Sequence, residues 1–191
     1  MDRAVDFSGL DEESLIHQVR EGRHEAFAEL VNRHSKRFYR VAYRVLFSKA
    51  DAEDVVQEAF LKLWRRPGSW DDTRGTKFTT WFYKVVINLC RDHNRKKKPL
   101  SMDEDLQPVD EREGQDVELF EKQKQALMDR CIRALPERQQ LALTLCFYEG
   151  LSNREAAEII GVGVKALQAL IMRAKTTLRE NVSRHLARGA S

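Results

Sequence analysis

A row of polar residues near the middle of the chain has a spacing that suits contact with nucleic acid. The row advances at i, i+4, i+7 and i+11, which gathers its side chains on one side of a helix: Lys84, Asn88, Arg91 and Arg95. Cationic side chains bind phosphates, an amide hydrogen-bonds exposed bases, and the flanking aromatics Trp81 and Tyr83 offer stacking surfaces. The pattern indicates a nucleic-acid surface, although an ordinary solvated helix face fits the same spacing.

The segment just before this row, residues 69–80, is polar and cannot be helical throughout. It reads SWDDTRGTKFTT and carries Gly75 in its middle. A loop of this composition beside a basic helix face can form a pocket for a base that has left its stack.

A second constellation, between residues 151 and 175, has the pattern of a helix-turn-helix. Ser152 followed by Glu155 is a capping-box pattern that begins a helix. Ala157 is the small residue needed where two helices approach, and Gly161 tolerates the positive φ that the turn requires. Apolar residues that would pack the second helix on the first follow at Val162, Leu167 and Leu170. An ordinary αα-hairpin is the alternative.

The second helix of this motif would enter the major groove with its N-terminal part facing the base edges. Its outward positions are Gly163, Val164, Lys165, Ala166, Gln168, Ala169 and Met172. Only Lys165 and Gln168 among them can form hydrogen bonds with bases. Further along, five cationic residues either reach phosphates or line a solvated face: Arg173, Lys175, Arg179, Arg184 and Arg188.

Helical periodicity extends over much of the chain and predicts an all-α fold. Apolar residues recur by threes and fours in three stripes, within residues 27–46, 52–63 and 82–93, and no segment alternates with period two for long enough to indicate a strand. Between residues 101 and 121 the chain becomes acidic, with nine Asp and Glu residues against Arg112. A solvated segment of that length is unusual inside one compact domain. We therefore predict two small helical domains, residues 10–98 and 118–188, joined by an acidic flexible linker at 99–117, with the helix-turn-helix in the C-terminal domain.

Length and composition narrow the classes of protein further. The chain has 191 residues, with 33 Lys and Arg against 30 Asp and Glu. Its apolar runs are far shorter than the ~20 residues that cross a bilayer, and its first residues, MDRAVDFSGLDEESL, lack the apolar region of a secretory signal. Three cysteines without close pairs favour a reducing compartment. We expect neither a membrane span nor a secreted disulfide scaffold.

The residue types usual in catalytic and metal sites form no such constellation in the sequence. Cys90 and His93 are three apart on a helix, but no second close pair completes a four-ligand metal site. Cys131 and Cys146 fall on apolar helix faces and are expected to be buried thiols, while a redox role for Cys90 stays open. Because Gly-rich phosphate loops, nucleophile elbows and HExxH helices are also missing from the sequence, we expect no enzyme, no cofactor and no metal.

Three separated motifs follow one another along the chain. The first is DAEDVVQEAFLKLW, residues 51–64, and the second is FTTWFYKVVIN, residues 78–88. The third is LPER, residues 135–138, followed by LSNREAA from Leu151. Together they resemble the extracytoplasmic-function (ECF) sigma factors, the small two-domain members of the bacterial sigma-70 family, from about residue 26 to residue 178.

The resemblance implies a promoter-specificity subunit of RNA polymerase. The helix of the first motif would dock on the coiled coil of the largest core subunit through Asp51, Asp54, Gln57 and Glu58, which otherwise are simply polar residues near a helix start. The loop and the helix after it would capture a flipped base and hold the non-template strand of the −10 element, through Asp72, Arg74, Lys77, Phe78, Trp81, Lys84, Asn88, Arg91 and Arg95. The helix-turn-helix would bind the −35 duplex through Ser152, Lys165, Gln168, Arg173 and Lys175.

The resemblance also implies partners and a location. The partners are core RNA polymerase, through its coiled coil and its flap, promoter DNA, and an anti-sigma factor, often membrane-bound, that releases the protein on a stress signal. The acidic linker would thread the basic template and RNA-exit channels, and the location would be the cytoplasm. Two alternatives stay open: a conventional dimeric helix-turn-helix regulator, and a sigma-like decoy that sequesters an anti-sigma factor, against which the basic row argues.

The recognition helix departs from the family pattern. Members often carry hydroxyl and basic residues there, where this chain has Ala166, Gln168, Ala169 and Leu170. We therefore hypothesise that −35 recognition depends mainly on phosphate contacts and DNA shape. Base-pair scanning that finds a cost of ~1–3 kcal/mol at most positions, which is typical of direct contacts, would contradict this hypothesis.

Overall fold

A computed structural model describes residues 7–71, 73, 75–97 and 116–189. Every regular element in those ranges is helical, which confirms the predicted all-α fold. The chain divides into two compact units, residues 1–94 and 95–191. Residue 98, the predicted end of the first domain, lies outside the described residues, as does the predicted linker up to residue 115; residues 116 and 117 begin a helix.

Four helices build the first unit: α1 (Glu12–Arg20), α2 (His24–Leu46), α3 (Lys49–Arg65) and α4 (Phe78–Lys97), with a 3₁₀ turn at Pro67–Ser69. Two of them begin at a capping side chain. Asp11 Oδ1 accepts the N–H of Ser14 at 2.8 Å at the start of α1, and Ser48 Oγ accepts the N–H of Asp51 at 3.3 Å at the start of α3. Between α2 and α3, Phe47 takes a left-handed conformation with φ 55°, which ends α2 and lets the chain reverse.

An aromatic cluster holds α2, α3 and α4 together. The ring of Phe38 on α2 lies 4.6 Å from that of Phe82 and 5.0 Å from that of Tyr83, both on α4. Phe60 of α3 lies 4.8 Å from Phe82, and Phe78 lies 5.3 Å from it. Burying each ring stabilises the fold by roughly 1.5–3 kcal/mol, so the cluster fixes which side of α4 faces outward.

The structure corrects two details of the apolar stripes. The stripe of α3 is buried as predicted, but Phe27 and Val31 of α2 are only half-buried and line a surface groove. α4 begins at Phe78, four residues before the predicted stripe at 82–93, because the Phe78 ring is part of the aromatic core.

The second unit contains α5 (Asp116–Arg133), α6 (Glu137–Leu143), α7 (Asn153–Ile160) and α8 (Val164–Gly189), with a π-helical turn at Thr144–Tyr148. α8 packs against α5, α6 and α7. The side chains buried where these helices meet include Cys131, Leu135, Leu141, Leu145, Ala156, Leu167 and Ala174.

The prediction of a buried thiol is right for Cys131 and wrong for Cys146, which is half-buried. Cys146 lies in the π-helical turn, where the wider i→i+5 spacing rotates the side chains away from the apolar face that α-helical periodicity predicts. Its Sγ donates to Asn153 Oδ1 at 3.8 Å.

Candidate nucleic-acid and polymerase interfaces

The basic row lies on the outward side of α4. Asn88 and Arg95 are exposed, whereas Lys84 and Arg91 are half-buried. At 100° per residue, the four side chains fall within about 60° of one another around the helix. Their positions alternate with core residues such as Phe82, which face the other way. The structure thus brings the whole row together on one surface.

A cleft of about 560 Å³ opens beside the N-terminal end of this row. Trp81 and Lys84 of α4, Arg20 at the end of α1, and the segment 68–71 together with Thr76 line it. The volume lies within the roughly 300–1,000 Å³ of typical ligand pockets, and the lining is rich in hydrogen-bonding groups. Since Trp81 and Lys84 belong both to the cleft and to the outward side of α4, the cleft and the basic row form one continuous surface.

The loop that walls the cleft is held by Trp70. The Trp70 ring is 3 % exposed and meets Phe78 edge-on, with 5.8 Å between centroids. Its indole N–H donates to the carbonyl of Thr76 at 3.0 Å, and its own carbonyl accepts from Arg20 Nη2 at 2.7 Å. Gly75, at φ 64°, provides the left-handed turn inside this bridge. Trp70 therefore joins the two ends of the loop to each other and to α1.

The loop also has a local turn of its own. Asp71 Oδ1 accepts the N–H of Thr73 at 3.0 Å and its hydroxyl at 2.6 Å, the arrangement of an Asx turn. Asp72 and Arg74, which we predicted as −10 contacts, lie outside the described residues. Lys77 is exposed at the end of the loop.

Two aromatic residues do not have the roles that the sequence suggested. Phe78 and Tyr83 are each 1 % exposed, so neither ring can contact DNA or stack on a base. Both predictions were wrong because these rings belong to the aromatic core. Arg20 also lines the cleft, and no local motif in the sequence connects it to a loop fifty residues away.

The exposed side of α3 presents polar residues and one leucine. Asp54, Gln57 and Glu58 are exposed. Leu61 lies four residues after Gln57 and three after Glu58, and it is 40 % exposed. Glu58 forms an i,i+4 ion pair with Lys62 at 3.0 Å. We call Asp54, Gln57, Glu58 and Leu61 the α3 stripe. Leu61 was missed, although its spacing from Gln57 and Glu58 would have placed it on the same face.

Asp51 does not belong to this stripe. Its side chain is 15 % exposed, and its Oδ1 lies 3.1 Å from Nε2 of His93 on α4. The assignment of Asp51 to polymerase docking is therefore corrected, because a carboxylate paired with a neighbouring helix is largely inaccessible to a partner. Asp51 links the start of α3 to α4 instead.

An apolar groove of about 590 Å³ runs between α2 and α3, next to the α3 stripe. Phe27, Val31 and Tyr39 of α2 face Phe60 and Leu61 of α3 across it. Gln57 and Leu61 belong to the stripe and also line this groove, so the polar and apolar surfaces are continuous.

The second unit contains the helix-turn-helix as α7, a three-residue turn and α8. Ser152 and Glu155 form a complete capping box at the start of α7. Gly161 ends α7 at φ 76°, with its N–H donating to the carbonyl of Ala157 at 2.9 Å. Ala157 is 2 % exposed and Leu167 is fully buried, which matches the predicted contact between the two helices.

The beginning of α8 turns outward the residues that we predicted to face DNA. Val164, Lys165, Ala166, Gln168 and Met172 are exposed, whereas Ala169 is half-buried. Arg173, Lys175 and Arg179 are also exposed, and residues 164–179 contain no Asp or Glu. Between residues 164 and 179, the outward side of α8 is therefore entirely neutral or cationic.

Two of the predicted −35 residues make specific contacts within the chain. Ser152 Oγ accepts the N–H of Glu155 at 3.3 Å and donates to its Oε2 at 2.8 Å, so Ser152 caps α7. The residue is exposed, and it stays a predicted −35 contact. The ammonium of Lys175 lies 4.7 Å above the ring of Phe147, which is 55 % exposed in the π-helical turn. Phe147 was missed because only the fold brings the turn next to α8.

The same two parts of the chain match known sequences. Residues 30–99 match the family described as sigma-70 region 2, and residues 125–178 match sigma-70 region 4. Over 186 residues the chain is 30 % identical to the ECF RNA polymerase sigma-E factor of Escherichia coli strain K12, covering 91 % of this chain and 95 % of that protein. The chain belongs to the ECF sigma factors. This membership confirms the resemblance carried by the three motifs.

Solved structures share the fold of this sigma factor. The structure of CnrH in complex with the cytosolic domain of CnrY is 24 % identical, with a TM-score of 0.67, and covers 91 % of this chain and 97 % of the other. The sigma factor RpoE of Bartonella quintana, solved with the anti-sigma factor NepR, is 19 % identical with a TM-score of 0.64, covering 82 % and 96 %. Sigma factors are transcription initiation factors, so the surfaces described above belong to a protein that starts transcription.

Thiol and metal chemistry receive little support from the described part of this sigma factor. Burial raises the pKa of the Cys90 thiol to about 12, which leaves almost none of the reactive thiolate at neutral pH. His93, the potential metal partner of Cys90, is paired with Asp51, and the described residues hold no group of three or more ligand-type side chains suited to a metal ion. In the same ranges, no helix is long and apolar enough to span a membrane.

Proposed function

We propose that the predicted first domain, residues 10–98, holds the melted −10 element. In this proposal, Lys84, Asn88, Arg91 and Arg95 hold the backbone and neighbouring bases of the non-template strand, while the cleft takes one flipped base. The observation that carries the proposal is that Trp81 and Lys84 belong to both surfaces, so a strand on the row leads directly to the cleft. Extruding a base costs a few kcal/mol of stacking, which contacts in the cleft and along the row would offset. Lys77, and Asp72 and Arg74 outside the described residues, remain proposed contacts of this element.

The α3 stripe is the surface that we propose for docking on core polymerase. Asp54 and Glu58 offer exposed carboxylates to basic side chains of the polymerase coiled coil, and Gln57 adds a hydrogen-bonding amide. Leu61 and the adjoining groove supply apolar area, which such an interface needs beside its polar rim.

The predicted second domain, residues 118–188, is proposed to bind the −35 duplex. Lys165 and Gln168 are exposed where a recognition helix faces base edges, and Arg173 and Lys175 follow where phosphates would lie. The absence of Asp and Glu from residues 164–179 favours a polyanionic partner for this helix.

The remaining partners and the location follow from the same proposal. The acidic segment before α5 would enter the basic channels of the polymerase, and the protein would act in the cytoplasm, where transcription takes place. An anti-sigma factor, as seen with RpoE of Bartonella quintana, would hold this chain inactive until a stress signal. We assign the chain no catalytic step and no cofactor, since the chemistry of RNA synthesis is that of the core enzyme.

Run-off transcription with purified core polymerase on candidate promoters tests the proposal. The wild-type chain should activate initiation, and the Arg91→Glu, Arg95→Glu double variant should bind core normally yet fail to open the promoter. The control is Arg138→Glu, a single charge reversal of an exposed residue in the first turn of α6, where a negative charge is tolerated; the Arg95→Glu single variant is compared with it directly. Normal open complexes in the double variant would contradict the −10 assignment.

The same assay separates the alternatives. Sequence-specific duplex binding without activation of core polymerase would indicate a helix-turn-helix regulator, and tight binding to an anti-sigma factor without any DNA binding would indicate a decoy. For docking, Asp54→Lys and Glu58→Lys should each weaken core binding. Glu58→Lys should also lower stability by about 0.5 kcal/mol, because it removes the exposed ion pair with Lys62. Asp51→Asn should instead lower stability, because Asp51 is paired inside the unit.

A further inference from the structure

The recognition helix carries an apolar side chain that the contacts described so far do not use. Met172 is 67 % exposed, more than the other exposed large apolar residues among those described, such as Val164 at 42 % and Leu61 at 40 %. A single exposed methionine is ordinary on a protein surface. Its position on α8 is what gives it significance.

Met172 lies in the middle of the outward side of α8. It is seven residues from Lys165, so the two side chains point within about 20° of each other and are about 10 Å apart along the helix axis. Gln168 lies between them and within about 40° of Met172. The buried residues Leu167 and Ala174 are on the opposite side of the helix. Any duplex that meets Lys165 and Gln168 therefore also faces Met172.

The charges around Met172 fit nucleic acid. Arg173 and Lys175 are exposed on either side of it, and Arg179 lies two turns further along. A helix that brings cations to the phosphates on both sides of a groove places the residue between them against the base edges. Met172 has no hydrogen-bonding group that reads a base, but a thioether chain is suited to one feature of the major groove, the C5-methyl group of thymine.

We propose that Met172 is a specificity-determining residue that packs on the C5-methyl group of a thymine in the −35 duplex. The inference rests on the proposed binding of −35 DNA by the second unit, and it adds one direct base contact to a recognition helix otherwise poor in base-reading groups. It makes thymine, rather than a hydrogen-bonding pattern, the base that this part of the helix selects.

Replacement of thymidine by deoxyuridine tests this contact, because it removes only the C5-methyl group of the base and keeps base pairing. Duplexes are first enriched from a random library with the holoenzyme, and each thymine of the −35 element is then replaced singly. For the wild-type chain, we expect about fourfold weaker binding at one position, the factor for one buried methyl group. With Met172→Ala, the same replacement should change affinity by less than about 1.5-fold, since the partner of the methyl group is gone.

Met172→Leu is the matched control, because it keeps an apolar chain of similar volume and should retain most of the uracil effect. The proposal is wrong if the wild type shows no uracil effect, or if the effect persists unchanged in Met172→Ala. It is also wrong if Met172→Ala weakens binding to core polymerase while the uracil pattern stays the same, since Met172 would then contact protein. If the holoenzyme enriches no −35 sequence at all, the proposed function of the second unit fails first, and that failure is distinguishable from a sequence bound without any methyl effect.

Discussion

Trp70→Phe should loosen the loop of the cleft without dismantling the first unit. The substitution keeps an aromatic ring against Phe78 but removes the indole N–H that donates to the carbonyl of Thr76 at 3.0 Å. Since Trp70 is 3 % exposed, water cannot easily replace this donor. The hydrogen bond that joins the two ends of the loop is therefore lost.

The expected loss of stability is about 2 kcal/mol. One hydrogen bond contributes about 1 kcal/mol. The smaller phenyl ring leaves unfilled volume in a buried site, which costs about 1 kcal/mol more. A loop held about 1 kcal/mol less tightly is released about five times more often, so affinity for the −10 strand should fall by up to that factor.

Two measurements check these values. Tryptophan fluorescence during urea unfolding reports the first unit alone, because all three tryptophans, at 64, 70 and 81, lie in it. With a urea slope of about 2 kcal/mol per M, the midpoint should fall by about 1 M. Binding of the holoenzyme to a fluorescent non-template −10 oligonucleotide should weaken in parallel.

Trp64→Phe is the matched control, since it makes the same change on α3, where Trp64 packs on His24 and Phe27 with centroids 4.6 and 5.1 Å apart. It should leave oligonucleotide binding unchanged. The reasoning is refuted if Trp70→Phe unfolds and binds like the wild type, or if Trp64→Phe weakens oligonucleotide binding equally.

Three further substitutions have expected outcomes. Gly161→Ala should destabilise the second unit by about 1 kcal/mol, measured by circular dichroism, because φ 76° is left-handed. The hydrogen bond from His34 holds the pKa of Glu12 below its ordinary value of 4.5. The ionised Glu12 carboxylate therefore stabilises the folded state at pH values above 4.5, and this stability is lost as the pH falls through the lowered pKa. Glu12→Gln should remove this part of the acid destabilisation in fluorescence-monitored unfolding. Phe147→Leu should weaken −35 duplex binding about two- to fivefold in an anisotropy titration, since a cation–π contact of ~0.5–1 kcal/mol orients Lys175.

Each of these predictions has a neighbouring control. Gly163→Ala lies two residues away without a positive φ and should change stability little, and an equal loss in both variants would show that the turn is not what Gly161 supports. Glu13→Gln, exposed beside Glu12, should keep the wild-type acid profile. Tyr148→Leu should leave duplex binding unchanged, and a salt dependence of binding that is the same in Phe147→Leu and the wild type at reduced affinity would contradict an effect through Lys175.

The spacing of residues in the sequence predicted most of the features that lie within one helix or one short motif. The buried apolar residues of α3, the outward row on α4 and the turn glycine Gly161 all depend on spacing within about fifteen residues, and the structure has each of them. The capping box at Ser152 and Glu155 was predictable for the same reason, because it involves only side chains three residues apart.

The errors concern residues whose role is set by contacts between elements. Phe78 and Tyr83 have the composition of stacking residues, yet three helices close over them. Asp51 looks like an ordinary acidic residue near a helix start until α4 brings His93 to it. Arg20 contacts Trp70 and Phe147 contacts Lys175, and both pairs are too far apart along the chain for a local sequence pattern to predict them. The sequence alone therefore does not show whether a polar or aromatic residue stabilises the fold or contacts a partner, because burial decides between the two roles.

The position of Arg20 limits how small a working fragment can be. The match to sigma-70 region 2 begins at residue 30, whereas Arg20 supplies part of the cleft wall and the anchor for Trp70. Arg33 in turn donates to the carbonyls of Ser8 and Leu10 at 2.6 Å, which fastens the segment before α1. A polypeptide trimmed to the residues that match region 2 would keep the cationic helix but lose one wall of the proposed base-binding cleft, so deletion experiments on this half should start no later than residue 7.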